Sequence, residues 1–239
     1  MGECDLVLVH SKKYRDEGLD LHIRTTIKDD YSYIEAVALR LGRHVIEFHK
    51  QHIFVDGLQH KDGELPISIG DKHEYQVASR AQPNKDRTRI KKFYMIELGN
   101  DSSVELRFYR HFGSVQIMAN PEDFGDAVGL SGTFPNGDMK GRTGSLIRNT
   151  EDFGFEWQVD PSHDPTLFLE MREPQLPSDK CRMPTLTRSS RRKLRRNEKG
   201  LYTQAKQACR AQYDQIDNLE ACIDDVMATG DVQLGEEWM

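Results

Sequence analysis

A succession of short β-prone segments fills the first 120 residues, and this pattern constrains the fold more than any other feature of the chain. Apolar and polar residues alternate in several segments, and Gly, Asp or Asn turn signals separate most of them. The segments are CDLVLVH, LDLHIRTTI, YIEAVALRLG, HVIEFHK, HIFVDG, EYQVAS, IKKFYMIELG and VELRFYRHFGSVQIM. Many short strands with regular turns are typical of sandwiches and barrels. The sequence therefore predicts a mostly β fold, a β-sandwich of antiparallel strands.

The end of the chain changes to a helical period. Ala205, Ala208, Cys209 and Gln212 recur at helical spacing, and Leu219, Cys222, Ile223, Val226 and Met227 do so again after a break at 214–218. We predict a small helical hairpin over residues 201–239. Cys209 and Cys222 would lie on opposite helices, within reach of a disulfide that clamps two helices too short to hold together alone.

The remaining cysteines are Cys4 and Cys181, and the spacing of the four fits no CxxC metal or redox pattern. Two disulfides are possible in three connectivities. Four free, partly buried thiols in a reducing compartment are the alternative.

Length and charge exclude several classes of protein. The chain has 239 residues, a formal net charge of -6 and no run of eighteen apolar residues, so neither a global nucleic-acid signature nor a membrane span is expected. Its first residues, MGECDLVLVH, lack a basic flank and a cleavage site. We therefore expect a cytosolic protein or a piece of a secreted one.

A basic linker is predicted at 185–200, after a proline-bearing strip at 161–184. RSSRRKLRR, from Arg188 to Arg196, has six basic residues and no acidic one. It could contact an acidic partner such as nucleic acid or anionic lipid, or serve as a dibasic cleavage site. The acidic helices that follow argue against nucleic acid.

The glycine-rich stretch VGLSGTFPNGDMKGRTGSLI, residues 128–147, fits neither of the two chemical motifs it suggests. Gly132 and Gly137 have P-loop spacing, but Asp138 stands where a lysine must neutralise phosphate. GLSGT places its second glycine one position too early for a hydrolase elbow.

Other groups of polar residues have structural interpretations. His44, His49, His52 and His60 lie in one span, but His49 and His52 are three apart, and residues three apart on a strand face opposite sides of the sheet. The pairs Asp123 with Asp126 and Asp224 with Asp225 are interpreted as solvated loop and helix charges. No combination of nucleophile, base and orienting group is recognisable, so no catalytic residues are predicted. ELGNDSSVEL predicts a hairpin with residues 100–103 in the loop and Leu98, Leu106 and Phe108 in the core. Asn100 opens a glycosylation sequon, Asn-Asp-Ser, on that loop.

Four features in this order resemble a von Willebrand factor type D domain. They are Cys4 in GECDLVLV, the run of β segments, GLSGTFPNGD, and FGFEWQV upstream of Cys181. The resemblance covers residues 2–183, and the predicted domain is 1–184. The tail is similar to a small two-cysteine helical unit that follows such domains in some large extracellular proteins.

The resemblance implies a non-enzymatic β-sandwich of secreted or cell-surface adhesive and matrix proteins, stabilised by disulfides. It implies that Cys4 and Cys181 bond to each other, a closure worth about 4 to 5 kcal/mol in the chain-entropy model. It also implies a calcium loop at Asn136 and Asp138, for which a glycine-rich turn is the alternative, because two such side chains supply too few of the oxygens that calcium needs. No other cofactor is expected.

The departures from the family carry expectations as well. Val128 and Ser131 replace two family cysteines, so multimerisation by disulfide exchange is not expected. The usual first strand is missing before Met1, which suggests a fragment and an unpaired sheet edge. We therefore expect an extracellular or cell-surface module that binds other extracellular proteins or matrix, with its oligomeric state open. The alternative is an intracellular binding module that uses residues 188–196.

Overall fold

The computed structural model describes residues 3–28, 31–49, 52–83, 90–109, 112–172, 181, 198–210 and 216–236. They separate into two compact units, with residues 198–236 in the second. The basic run from Arg188 to Arg196 lies outside the described residues, and so does most of the predicted linker.

Two sheets build the first unit, and every pairing with a described register is antiparallel. The first has the order β1-β2-β3-β4-β5-β6, and the second has the order β11-β10-β9-β8-β7. The strands are β1 Asp5–Ser11, β2 Leu19–Lys28, β3 Tyr31–Leu41, β4 His44–His49, β5 Ile53–Val55, β6 Leu58–His60, β7 Ile67–Ile69, β8 Tyr75–Pro83, β9 Ile90–Gly99, β10 Ser102–Tyr109 and β11 Phe112–Met118. The prediction of a mostly β, antiparallel fold is confirmed.

One hydrophobic core joins the two sheets. Leu39 and Phe48 of the first sheet are buried in the same cluster as Tyr94, Ile96 and Leu106 of the second. The inward residues recur at every second position, as a pleated strand requires.

A layer from the end of this unit covers the outer face of the first sheet. We call residues 121–172 the outer layer. It contains the short helices α1 Pro121–Phe124 and α2 Thr150–Glu156, capped by the side chains of Asn120 and Asn149. Phe153 and Trp157 pack on Val7 of β1. The sequence predicts loops at 121–160 whose aromatic residues seal an edge of the core. Phe124 of α1 is buried in the main core, and Phe134 and Phe155 pack against it. Phe153 and Trp157 instead form a second small core on the opposite side of the sheet.

The β9–β10 connection is shorter than predicted. The strands continue to Gly99 and resume at Ser102, so Asn100 and Asp101 alone form the loop, with φ of 49° and 58°. Asn and Asp tolerate this left-handed conformation better than most residues, which is why they occupy a tight hairpin.

The second unit is helical. It contains α3 Lys199–Arg210, α4 Ile216–Thr229 and α5 Val232–Glu236. The Cys209–Cys222 disulfide joins α3 to α4. The helix α5 was not predicted, and it packs closely: a Cβ added to Gly235 would lie 3.1 Å from Ala208, Cys209 and Val226 atoms. No described helix is long and apolar enough to cross a membrane.

Candidate functional site

The outer face of the first sheet holds a row of buried polar side chains. Asp20, His22 and Arg24 alternate with core residues along β2 and therefore point away from the main core. Their exposed fractions are only 1%, 0% and 7%. The outer layer lies over this face, so the row is buried on a side where alternation alone predicts solvent.

Charge pairing satisfies one end of this row. Asp20 accepts hydrogen bonds from Arg40, whose Nε lies 2.6 Å from Oδ2, and its other oxygen contacts His10. Burial opposes ionisation of Asp20, but the hydrogen bond with His10 and the charge of Arg40 outweigh it and lower its pKa. The carboxylate therefore stays charged inside the fold.

A second pair closes the other end. Arg24 donates from Nε and Nη2 to the two oxygens of Asp5 at 2.8 and 2.7 Å, a bidentate geometry. Its Nη2 also donates to the backbone oxygen of Glu170, and its guanidinium lies 4.3 Å from the ring centre of Phe168. The outer layer thus supplies partners for a buried arginine.

His22 lies between these two pairs on β2. Both ring nitrogens are buried and unpartnered among the described residues. Burial lowers the pKa of His22 to about 4, although the charges of Asp20, Asp164 and Asp5 act in the opposite direction. Its imidazole is therefore neutral in the folded protein at pH 7. The alternation in LDLHIR places these residues on one face, but nothing local indicates that a distant segment buries them.

A groove of about 250 Å³ lies between β4, β5 and the end of the outer layer. The two carboxylates that line it, Glu47 and Asp56, already accept hydrogen bonds from the protein. Glu47 accepts from the Leu169 backbone at 2.8 Å and contacts His49 at 2.6 Å, and Asp56 accepts from the Val45 backbone at 2.9 Å. These bonds position the outer layer and the β4–β5 turn rather than leaving free ligating groups.

The glycine-rich stretch forms a tight turn rather than a cation cradle. Thr133 donates its N–H to the Asp138 backbone oxygen at 3.0 Å, and Lys140 donates to the same oxygen at 2.9 Å. Gly132 has φ 84°, and a Cβ there would lie 2.5 Å from the carbonyl carbon of Gly137. A side chain at this position would therefore prevent closure of the turn.

The predicted calcium ligands do not fit calcium in this geometry. Asn136 is exposed, and the Asp138 carboxylate lies 3.6 Å from the Lys140 ammonium. Calcium requires six or more oxygen ligands, while the Asp138 backbone oxygen is already used twice in the turn. The turn interpretation is the one these contacts support.

The predicted histidine span is not a metal centre in the described structure. Within the described residues, no group of three or more His, Cys, Asp or Glu side chains could hold a metal ion. The expectation that His49 and His52 lie on one strand is wrong. His49 ends β4 and His52 precedes β5, and the backbone N–H of His49 donates to the oxygen of His52 at 2.8 Å.

The arrangement most like a catalytic constellation is an exposed turn. Ser162 Oγ and Asp160 Oδ2 both lie near His163 Nδ1, at 2.8 and 3.0 Å. A hydrolytic triad needs the serine on one ring nitrogen and the carboxylate on the other. Hydrogen bonds from Ser162 lower the pKa of Asp160 to about 2, so this carboxylate organises the turn rather than serving as a base near pH 7.

The carboxylate pairs are not simply solvated, as the sequence had suggested. Asp126 accepts a hydrogen bond from the Lys13 backbone at 3.0 Å, and Asp123 accepts one from the Asn100 side chain at 3.0 Å. Burial and the neighbouring charge of Asp224 raise the pKa of Asp225 to about 7. One pair therefore ties loops to the sheets, and the other includes a buried group.

Each unit contains one disulfide. Cys4 bonds to Cys181 with Cα atoms 5.3 Å apart, and Cys209 bonds to Cys222 with Cα atoms 5.9 Å apart. The first connects the start of β1 with a residue 177 positions later. No free cysteine remains.

Comparisons with known proteins found no match to this chain: no protein-family model and no curated protein matches it. Function is therefore inferred from the two disulfides, the covered polar face and the turn geometry of the glycine-rich stretch.

Proposed function

We propose that this chain is a non-enzymatic, extracellular structural or adhesive module of a secreted or cell-surface protein. It binds other extracellular proteins or matrix and requires no cofactor. The observation that carries the proposal is the pairing of all four cysteines in two disulfides. Structural disulfides persist in oxidising compartments and are rare in the cytosol, where thiols are kept reduced.

The position of the long-range disulfide adds support. Cys4 and Cys181 are both buried, and Cys181 donates its backbone N–H to the side chain of Gln158 at 3.3 Å. A closure over 177 residues is worth about 5 kcal/mol in the chain-entropy model, comparable with the whole stability of many domains. A fold with this dependence suits an environment in which the bond survives.

The resemblance to von Willebrand factor type D domains is part of the proposal. It is supported by the antiparallel two-sheet fold, by the Cys4–Cys181 pairing that the family implies, and by a tight turn at residues 132–138. A glycan on Asn100 belongs to the same proposal. This residue is exposed on the β9–β10 turn, where its side-chain nitrogen donates to Asp123.

The test is a non-reducing tryptic peptide map of protein from its native host, with free thiols alkylated before digestion. The proposal expects residues 1–12 linked to 181–182, and 207–210 linked to 211–239, because trypsin cuts after the intervening Lys and Arg residues. The same spectra report a glycan on the peptide that contains Asn100. Reduction before alkylation is the matched control, and it must release all four peptides.

Four alkylated, unlinked cysteines would overturn the proposal. That result would place the chain in a reducing compartment. It would also make the basic segment 188–196, which the structure does not describe, the first surface to test for binding to nucleic acid or anionic lipid.

A further inference from the structure

Three of the four sheet edges in the described structure are protected. β6 and β7 end their sheets with only three residues each. β1 is covered by the outer layer: Val7 donates its N–H to Trp157 at 2.8 Å, and His10 exchanges backbone bonds with Val128 at 2.7 and 2.9 Å. Short strands and covering segments are the usual means by which proteins prevent edge-to-edge pairing.

β11 lacks these protections. It has seven residues, FGSVQIM, without a charge or a proline, and β10 is its one neighbour among the described residues. Its inner side is packed, since Val115 and Ile117 contact the core and a Cβ at Gly113 would lie 2.7 Å from the Ile34 carbonyl oxygen. The inner side of the strand is thus fixed by packing, and no described strand pairs with its other lateral edge.

The hairpin register shows which backbone groups face outward. Tyr109 and Phe112 are partners across a connection of two residues, so this pair must exchange both backbone hydrogen bonds. Bonded and non-bonded pairs alternate along an antiparallel ladder, and the β10–β11 register is continuous. The N–H and C=O groups that point away from β10 therefore belong to Gly113, Val115 and Ile117.

We propose that this edge is a self-association surface on which a second copy of the chain adds its own β11 antiparallel. Val115 is the middle one of the three residues whose backbone groups point away from β10. One register uses all of them: Val115 opposite Val115 of the second copy, and Gly113 opposite Ile117. The strand is thus complementary to itself about a two-fold axis, as a closed dimer interface requires. The uncharged sequence introduces no repulsion between the copies.

This register also determines which side chains of the two copies lie opposite each other on the solvent-facing side of the sheet. Ser114 of each copy lies opposite Gln116 of the other. A single strand pair buries less area than the about 1,200 Å² typical of stable complexes, so a weak, concentration-dependent dimer is expected. The proposal does not rest on the extracellular assignment, because it depends only on the β10–β11 register and the composition of β11.

The test uses the oxidised full chain and two double variants at these positions. Ser114→Lys with Gln116→Lys places like charges opposite each other twice in the dimer, and Ser114→Glu with Gln116→Glu does the same with the other sign. Within one copy, residue 114 faces Arg107 and residue 116 faces Glu105. Each double variant therefore meets one attractive and one repulsive neighbour across the hairpin. Both variants also replace the amide oxygen of Gln116 that accepts a hydrogen bond from Arg107 at 3.2 Å, so the folding of each is measured separately.

Sedimentation velocity from about 10 µM to about 1 mM covers the range of weak association. Wild-type protein should dimerise, and each double variant alone should weaken dimerisation about tenfold or more. An equimolar mixture of the two should restore it, because every cross-strand pair then joins Lys to Glu. Circular dichroism confirms folding of each variant. The control Gln76→Lys with Ala78→Lys lies on the interior strand β8 and should dimerise as the wild type does.

Several results would overturn the proposal. They are a wild-type monomer throughout the concentration range, a dimer unaffected by the double variants, or a mixture that stays as weak as each variant alone. The last result would mean that β11 participates in a different register or binds a different surface.

Discussion

Acidification should destabilise the β unit through His22, whose imidazole is buried with no hydrogen-bond partner among the described residues. Its pKa is about 4 in the folded state, against an ordinary value of 6.5. Between these two pH values the unfolded chain binds a proton that the folded protein does not, so stability is lost as the pH falls. This pKa difference corresponds to about 3 kcal/mol in the free energy of unfolding, of which about 2 kcal/mol is lost between pH 7 and pH 5.

His22→Leu removes the titrating imidazole and leaves no buried nitrogen without a partner. From pH 7 to pH 5, the free energy of unfolding of this variant should therefore fall by about 2 kcal/mol less than that of the wild type. Urea unfolding followed by Trp157 fluorescence reports the β unit, provided that both proteins carry Trp238→Phe. Carboxylates titrate alike in both proteins, and the difference between the two curves isolates His22. His52→Leu, which replaces an exposed imidazole, controls for the substitution itself. Equal pH dependence of the wild type and His22→Leu would refute the reasoning.

Three further outcomes follow from the same structure. In urea unfolding, Gly132→Ala should lower the free energy of unfolding by at least about 2 kcal/mol more than Gly137→Ala does. Both glycines have positive φ, but only at Gly132 would an added Cβ lie within 4 Å of backbone atoms. Equal losses of stability would contradict the argument that a side chain at Gly132 prevents closure of the turn. The pKa of Asp225 is raised to about 7, so the folded helical unit holds a proton that the unfolded chain releases, and its stability should fall as pH rises from about 4 to about 7. Asp225→Asn should flatten that dependence in thermal melts followed by circular dichroism, and an unchanged slope would exclude this carboxyl as the cause. Calcium at about 5 mM, above the range of typical extracellular sites, should leave the melting temperature unchanged, and a rise that Asp138→Asn abolishes would restore the calcium interpretation.

Strand positions were predictable because alternation is a local signal. Leu98, Leu106 and Phe108 were expected in the core from a single hairpin pattern, and all three are buried. The helical period likewise placed Cys209 and Cys222 on separate helices. The five-residue helix Val232–Glu236 was missed because it is shorter than two turns and contains a glycine, which lowers helix propensity.

The buried polar row was not predictable from the same signal. In LDLHIR, alternation separates Leu19, Leu21 and Ile23 from the polar residues, and it predicts that the polar side is solvated. Burial comes from the outer layer, more than a hundred residues later in sequence, whose residues Trp157 and Phe168 give no local sign of the surface they cover. Long-range coverage depends on tertiary packing, which a short sequence window does not contain.

The Cys4–Cys181 bond and the buried polar row belong to the same structural problem. A layer that covers Asp20, His22 and Arg24 must remain in place, because exposure of paired charges to water weakens their interaction and removes the packing around them. Two residues of the outer layer, Val128 and Gln158, pair with β1. The disulfide fixes the chain at Cys181, beyond the second of these contacts, and so opposes separation of the layer from the sheet. Loss of the bond and protonation of His22 should therefore favour the same event, detachment of the outer layer, and an oxidising compartment near neutral pH is where this arrangement is most stable.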